Sequence, residues 1–148
     1  MLKRFTILLA FFAFFVTSIE AQCDTTTQSV LRLELKPDQY WYEVSWVITA
    51  TGTGTILGQG ECANTNMITQ TYCVPNNTCV EFRINDEYGD GMAPNGYYKL
   101  YLNDSLIYEN PNGNYNYFET FSFNCPPGSN CDAATELGLG EHFTSADG

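Results

Sequence analysis

The residues best equipped for chemistry are carboxylates that sit at turns. Asp86-Glu87-Tyr88-Gly89-Asp90-Gly91-Met92 is the densest polar run in the 148-residue chain. Two aspartates four apart, with glycine on either side of the second, let a loop fold back until both carboxylates and nearby backbone carbonyls converge. Calcium asks for such a site, with six to eight oxygens at about 2.3–2.6 Å supplied by a loop that wraps. The run is not an EF-hand, because its third position is Tyr88 rather than Asp or Asn and its twelfth is Tyr97 rather than Glu. The same residues also suit a plain turn, in which Gly89 and Gly91 supply positive φ while Asp86 and Asp90 cap their own backbone. Asp38 and Glu43 are the further acids expected at the site. Pro37-Asp38-Gln39-Tyr40 follows one extended segment much as Asn85-Asp86-Glu87-Tyr88 follows another, an Asp-x-Tyr echo that would bring the two loops together if two similar halves pack face to face.

Other chemistries fare less well. A glycosidase needs only two carboxylates roughly 5–10 Å apart, but in so acidic a chain some pair at that spacing is expected without function. A serine nucleophile would need a histidine, and the single one, His142, lies near the end of the chain. The six cysteines, at 23, 62, 73, 79, 125 and 131, contain no Cys-x-x-Cys and no neighbouring histidine, which argues against zinc and thiol catalysis. Disulfides are the better reading for an exported chain. Cys73 and Cys79 flank the turn-rich spacer Val74-Pro75-Asn76-Asn77-Thr78, so a bridge between them is expected across one tight loop. Among the aromatics, Trp41 and Tyr115 stand in turn-like surroundings and are the expected exposed rings for ligand contact, since flat rings with polar tips suit sugar and protein surfaces.

Extended segments must position these groups. Two-residue alternation recurs at Val30–Leu35, Tyr42–Thr49, Thr55–Leu57, Met67–Tyr72, Cys79–Ile84, Tyr97–Leu102, Ser105–Tyr108 and Tyr117–Phe123. Turn formers separate them, at Thr51-Gly52-Thr53-Gly54, Asn95-Gly96, Asn103-Asp104 and Pro111-Asn112-Gly113-Asn114. About eight short strands with almost no helical periodicity predict an all-β, antiparallel, jelly-roll-like sandwich stapled by disulfides. Alternation sends Leu31, Leu33 and Leu35, and likewise Val80, Phe82 and Ile84, into the core, with Arg32, Glu34, Glu81 and Arg83 facing water.

The chain opens with Lys3 and Arg4 before an apolar run from Phe5 to Val16 and then Ile19-Glu20-Ala21, which reads as a secretory signal peptide over residues 1–21. The run is about 12 residues, well short of the roughly 20 a membrane-spanning helix needs. A lipid anchor on Cys23 is the alternative, with Gln22 standing where a small residue is wanted. Removing the leader leaves 16 acids against 4 bases, a surface that repels phosphate backbones and favours cations over nucleic acid. The sandwich is expected over residues 22–125, Pro126-Pro127-Gly128-Ser129-Asn130 as a linker, and residues 131–148 as the truncated start of a following module.

The Cys-bounded loop, the strand, the Asp-x-Tyr-Gly-Asp-Gly run and the Gly96-Tyr97 strand together resemble the repeated β module of large secreted and cell-surface proteins of Bacteroidetes-type bacteria. Asp38-Gln39-Tyr40 and Glu43-Val44-Ser45-Trp46 match the Asp-x-Tyr and Glu-x-Ser-Trp that precede the motif in that family. The likeness spans roughly residues 29–124 and departs at Met92, where an aromatic is frequent. It implies a noncatalytic binding or adhesion module of a longer exported protein, often one sent out by the type IX route. Calcium is the expected cation, and an extracellular glycan or protein surface the expected partner. The rival expectation is an accessory domain of an exported peptidase or glycosidase whose catalytic domain lies outside this chain.

Overall fold

A computed structural model describes residues 23–126, so the expected leader, most of the linker and the segment from Cys131 lie outside the described residues. Eight strands form where alternation places them: β1 (Gln28–Lys36), β2 (Val44–Ala50), β3 (Thr55–Glu61), β4 (Ile68–Pro75), β5 (Val80–Asp86), β6 (Tyr97–Leu102), β7 (Ser105–Asn110) and β8 (Phe118–Phe123). They build two four-stranded antiparallel sheets, ordered β4-β1-β6-β7 and β3-β2-β5-β8. The pairs β2·β3, β1·β4, β5·β8 and β6·β7 stack into a jelly roll. Only β2–β3 and β6–β7 are hairpins within a sheet, and every other connection crosses between sheets. No helix among the described residues is long and apolar enough to cross a membrane.

The core follows the period of two. Leu31, Leu33, Leu35, Val80, Phe82 and Ile84 are fully buried, and Val44, Trp46, Ile48, Tyr98 and Leu100 join them from β2 and β6. Two glycines in β3 make room for the largest rings. A Cβ on Gly60 would stand 2.3 Å from Trp46, and one on Gly58 would stand 2.2 Å from Tyr72. The Trp46 indole N–H donates to the Tyr72 hydroxyl at 2.8 Å, satisfying a donor that its burial would otherwise orphan. Glu119 of β8 faces inward opposite Ile84 and accepts from the Tyr98 hydroxyl, from the Tyr108 hydroxyl at 2.9 Å and from the Asn110 amide at 2.9 Å, tying one sheet to the other.

The disulfides differ from the expected pairing. Cys73 does not bridge Cys79; Cys23 bonds to Cys73, and Cys79 bonds to Cys125. The reason is topological, since Cys73 lies in β4 of one sheet while Cys79 precedes β5 of the other. Val74 to Thr78 therefore spans the two layers instead of turning a hairpin. Both bridges lie at one end of the sandwich, together with the β2–β3 and β6–β7 hairpins. Cys62 is buried and has no disulfide partner among the described residues.

Candidate metal centre

The opposite end carries the connections β1–β2, β3–β4, β5–β6 and β7–β8, because the register sets Val44 beside Asp86, Asn85 beside Phe118 and Lys36 beside Tyr97. Asp86 closes β5 with its side chain on the core face and is only 3% exposed. Its Oδ1 accepts the backbone N–H groups of Tyr88 at 3.2 Å, Gly89 at 2.5 Å and Asp90 at 3.2 Å. This is the turn-capping role expected of it, and Gly89 and Gly91 do take positive φ, at 82° and 68°. The other oxygen is unexplained by the turn. Asp86 Oδ2 is buried with no hydrogen-bond partner.

That orphaned oxygen lies in a cluster of acids. Glu43, Asp86 and Asp90 each offer a carboxylate oxygen within 4.8 Å of the others. Glu43 belongs to a short 3-10 turn, Trp41–Glu43, which leads into β2, and its own carbonyl accepts the Glu87 N–H at 3.1 Å, latching the two loops together. Burial, then the charge of Asp86, raise the Glu43 carboxyl above its usual range, with smaller pushes from Asp90 and Asp38 and an opposing pull from the Tyr42 phenol. Asp38 is buried beside this trio rather than within it. Its Oδ1 accepts the Tyr40 N–H at 2.9 Å, the same Asp-to-Tyr capping bond that Asp86 makes to Tyr88. The sequence echo is thus a repeated turn. Burial first, and the charges of Asp90 and Asp86 after it, raise the Asp38 carboxyl. The structure brings together Glu43, Asp86 and Asp90, with Asp38 alongside.

The aromatic expectations need correction. Tyr115 is not exposed: it is 8% accessible, with its hydroxyl buried and unpartnered. Burial, followed by the charge of Asp86, pushes its phenol up. The β7–β8 connection folds back against the Asp loop, where the Met92 N–H donates to the Gly113 carbonyl at 2.8 Å and a Cβ on Gly91 would collide with the Gly113 and Tyr115 carbonyls. Met92 is fully buried and anchors its loop in the core, so it is no binding tip. Trp41 is half-buried against the core, because the 3-10 turn rotates it inward. Its neighbours are the exposed ones. Tyr40, Tyr42, Tyr88 and Tyr117 are 43–65% accessible. Tyr40 and Tyr42 meet edge to face with centroids 6.3 Å apart, and Tyr117 lays its ring over the space a Gly89 side chain would fill. Two Asp-x-Tyr turns and a 3-10 turn could have revealed three of them.

Among protein families, curated proteins and solved structures, none matched this chain.

Proposed function

We propose that the protein is a noncatalytic extracellular binding module, a disulfide-stapled sandwich whose loop end is locked by a calcium ion held by Glu43, Asp86 and Asp90. The observation that carries this reading is Asp86 Oδ2, a carboxylate oxygen sealed from solvent without a donor, among two further carboxylates. Leaving such an atom unpaired costs on the order of 1–3 kcal/mol, and like charges at that spacing add to it. A divalent cation removes both penalties at once. An all-oxygen donor set without imidazole or thiolate selects a hard ion, and a wrapping loop suits calcium better than octahedral magnesium. The strongly acidic composition, the two disulfides and the expected leader support an exported, adhesive role over an intracellular one.

Terbium tests the reading directly, because a lanthanide in a calcium site is sensitised by nearby tyrosine rings. The expected result is one saturable terbium site per chain, excited through tyrosine and displaced by calcium. An absence of sensitised emission, or emission that calcium does not displace, overturns it.

A further inference from the structure

Every large aromatic side chain exposed among the described residues lies at one end of the sandwich. Tyr40 and Tyr42 flank the 3-10 turn that delivers Glu43, Tyr88 stands between Asp86 and Asp90 in the chain, and Tyr117 packs on Gly89 between them. Phe118 begins β8 beside Asn85. The exposed aliphatic residues Ile56 and Leu106 lie at the other end, near the two hairpins. Rings left in water are a standing cost, and gathering them around a single feature marks an interaction surface. Tyrosine suits such a surface because it offers a flat apolar face and a polar tip with little rotamer entropy to lose.

The centre of this rim is open on one side. Glu43 and Asp86 are buried beneath it, whereas Asp90 is exposed. Three carboxylates and a few backbone carbonyls leave positions unfilled in a shell of six to eight oxygens. We propose that this end is a cation-assisted glycan-binding rim. Tyr40, Tyr42, Tyr88 and Tyr117 present their faces to the C–H surfaces of sugar rings, and paired neutral hydroxyls complete the shell of the ion held below. The inference rests on the calcium reading given above and adds to it the ligand class and the residues that take it.

Charge decides against anionic occupants. With an excess of 12 acids over bases outside the leader, the chain repels nucleic acid, anionic lipid and acidic peptides. A neutral diol brings oxygen ligands to the ion with no charge of its own. Next to the rim, on the outer face of the β3-β2-β5 sheet, runs an open groove of about 550 Å³ lined by Ser45, Val47, Gln59, Glu61 and Asn85. Its hydroxyl and amide groups extend a surface suited to polyhydroxylated chains.

The test is a glycan array probed with the purified protein in millimolar calcium and in chelator, alongside terbium titration of the same samples. Binding to a neutral glycan class is expected, falling about tenfold or more in chelator and in the surface variants Tyr40→Ala and Tyr88→Ala. Those variants keep the terbium stoichiometry, which shows that rim and ion site are separate contributions. A blank array from protein that binds calcium sinks the glycan assignment and leaves the ion in place. Glycan binding that persists in chelator, or that ignores both tyrosine substitutions, places recognition elsewhere and overturns the proposal. So does calcium-dependent capture of a cell-surface component that survives periodate but not protease. Absence of a terbium site sinks the calcium reading first.

Discussion

Replacing Asp86 by Asn and by Ala separates a metal ligand from a turn cap. Asn keeps an oxygen for the Tyr88, Gly89 and Asp90 amides and removes the negative charge beside Glu43. Two carboxylates within 4.8 Å repel by roughly 3 kcal/mol at an effective dielectric of about 20. Solvent on the open side and the raised Glu43 carboxyl relieve part of this, leaving about 1–2 kcal/mol. Against that gain, a neutral acceptor holds the short Gly89 bond less strongly, by roughly 1 kcal/mol. In chelator Asp86→Asn therefore melts within about 8 °C of the parent, whereas Asp86→Ala, which abandons three backbone donors, is destabilised by about 2 kcal/mol. Calcium at about a hundred times its dissociation constant adds about 2.7 kcal/mol, or roughly 10–20 °C, to the parent protein and nothing to either variant. Thermal melts by circular dichroism, in chelator and in millimolar calcium, give all six values. A parent melting temperature indifferent to calcium, or a calcium shift that Asp86→Asn retains, refutes the reasoning and leaves the loop as a plain turn.

Alkaline pH should unfold the protein in a particular order. Burial pushes the Tyr98 and Tyr115 phenols up and raises the Cys62 thiol to about 12, so the fold holds all three protonated while the unfolded chain ionises them at ordinary values. Their contribution is complete below about pH 8 and is lost as pH rises from about 9 to 12, each group giving up at most about 1.4 kcal/mol for every pH step of one. Absorbance of ionised tyrosine should accordingly show a late fraction that appears only with loss of the far-ultraviolet signal; complete titration of a still-folded protein contradicts it. Gly60→Ala drives a Cβ to 2.3 Å from the buried Trp46 ring and should cost about 1–3 kcal/mol in denaturant melts. Gly58→Ala, which meets the half-exposed Tyr72, should cost less. Non-reducing peptide mapping should recover Cys23–Cys73 and Cys79–Cys125, and the double variant Cys23→Ser with Cys73→Ser, opening a loop of 50 residues, should lose about 4 kcal/mol in the same melts.

All eight strands were legible because the alternation is clean on the central ones; β1, β2 and β5 read buried at every second residue, and turn residues mark their ends. The proximity of the Asp38 and Asp86 loops was legible for a similar reason. The Asp-x-Tyr echo places two acids at equivalent strand ends, and crossing between the sheets brings those ends together. The cysteine pairing was not, because a five-residue spacer looks alike whether it turns within a sheet or spans two. Nor was the burial of Tyr115, whose surroundings are rich in turn formers. It is buried by a long-range contact, the docking of its loop on Gly91 and Met92, which no local pattern encodes. The same limit hid Glu119, whose inward position shows in alternation but whose three hydroxyl and amide donors come from two strands of the other sheet.

The two sulfur bridges also fix how the protein would bear a load. A pull entering just before Cys23 and leaving just after Cys125 finds a shorter covalent route than the polypeptide itself, passing through Cys73, the residues Val74 to Thr78, and Cys79. That route can lengthen to roughly 30 Å, against roughly 350 Å for the unbridged chain. Nearly all of the sandwich hangs as two side loops off the taut line. Tension applied across Cys23 and Cys125 therefore leaves the far pole, with its acids and tyrosine rings, mechanically unstrained.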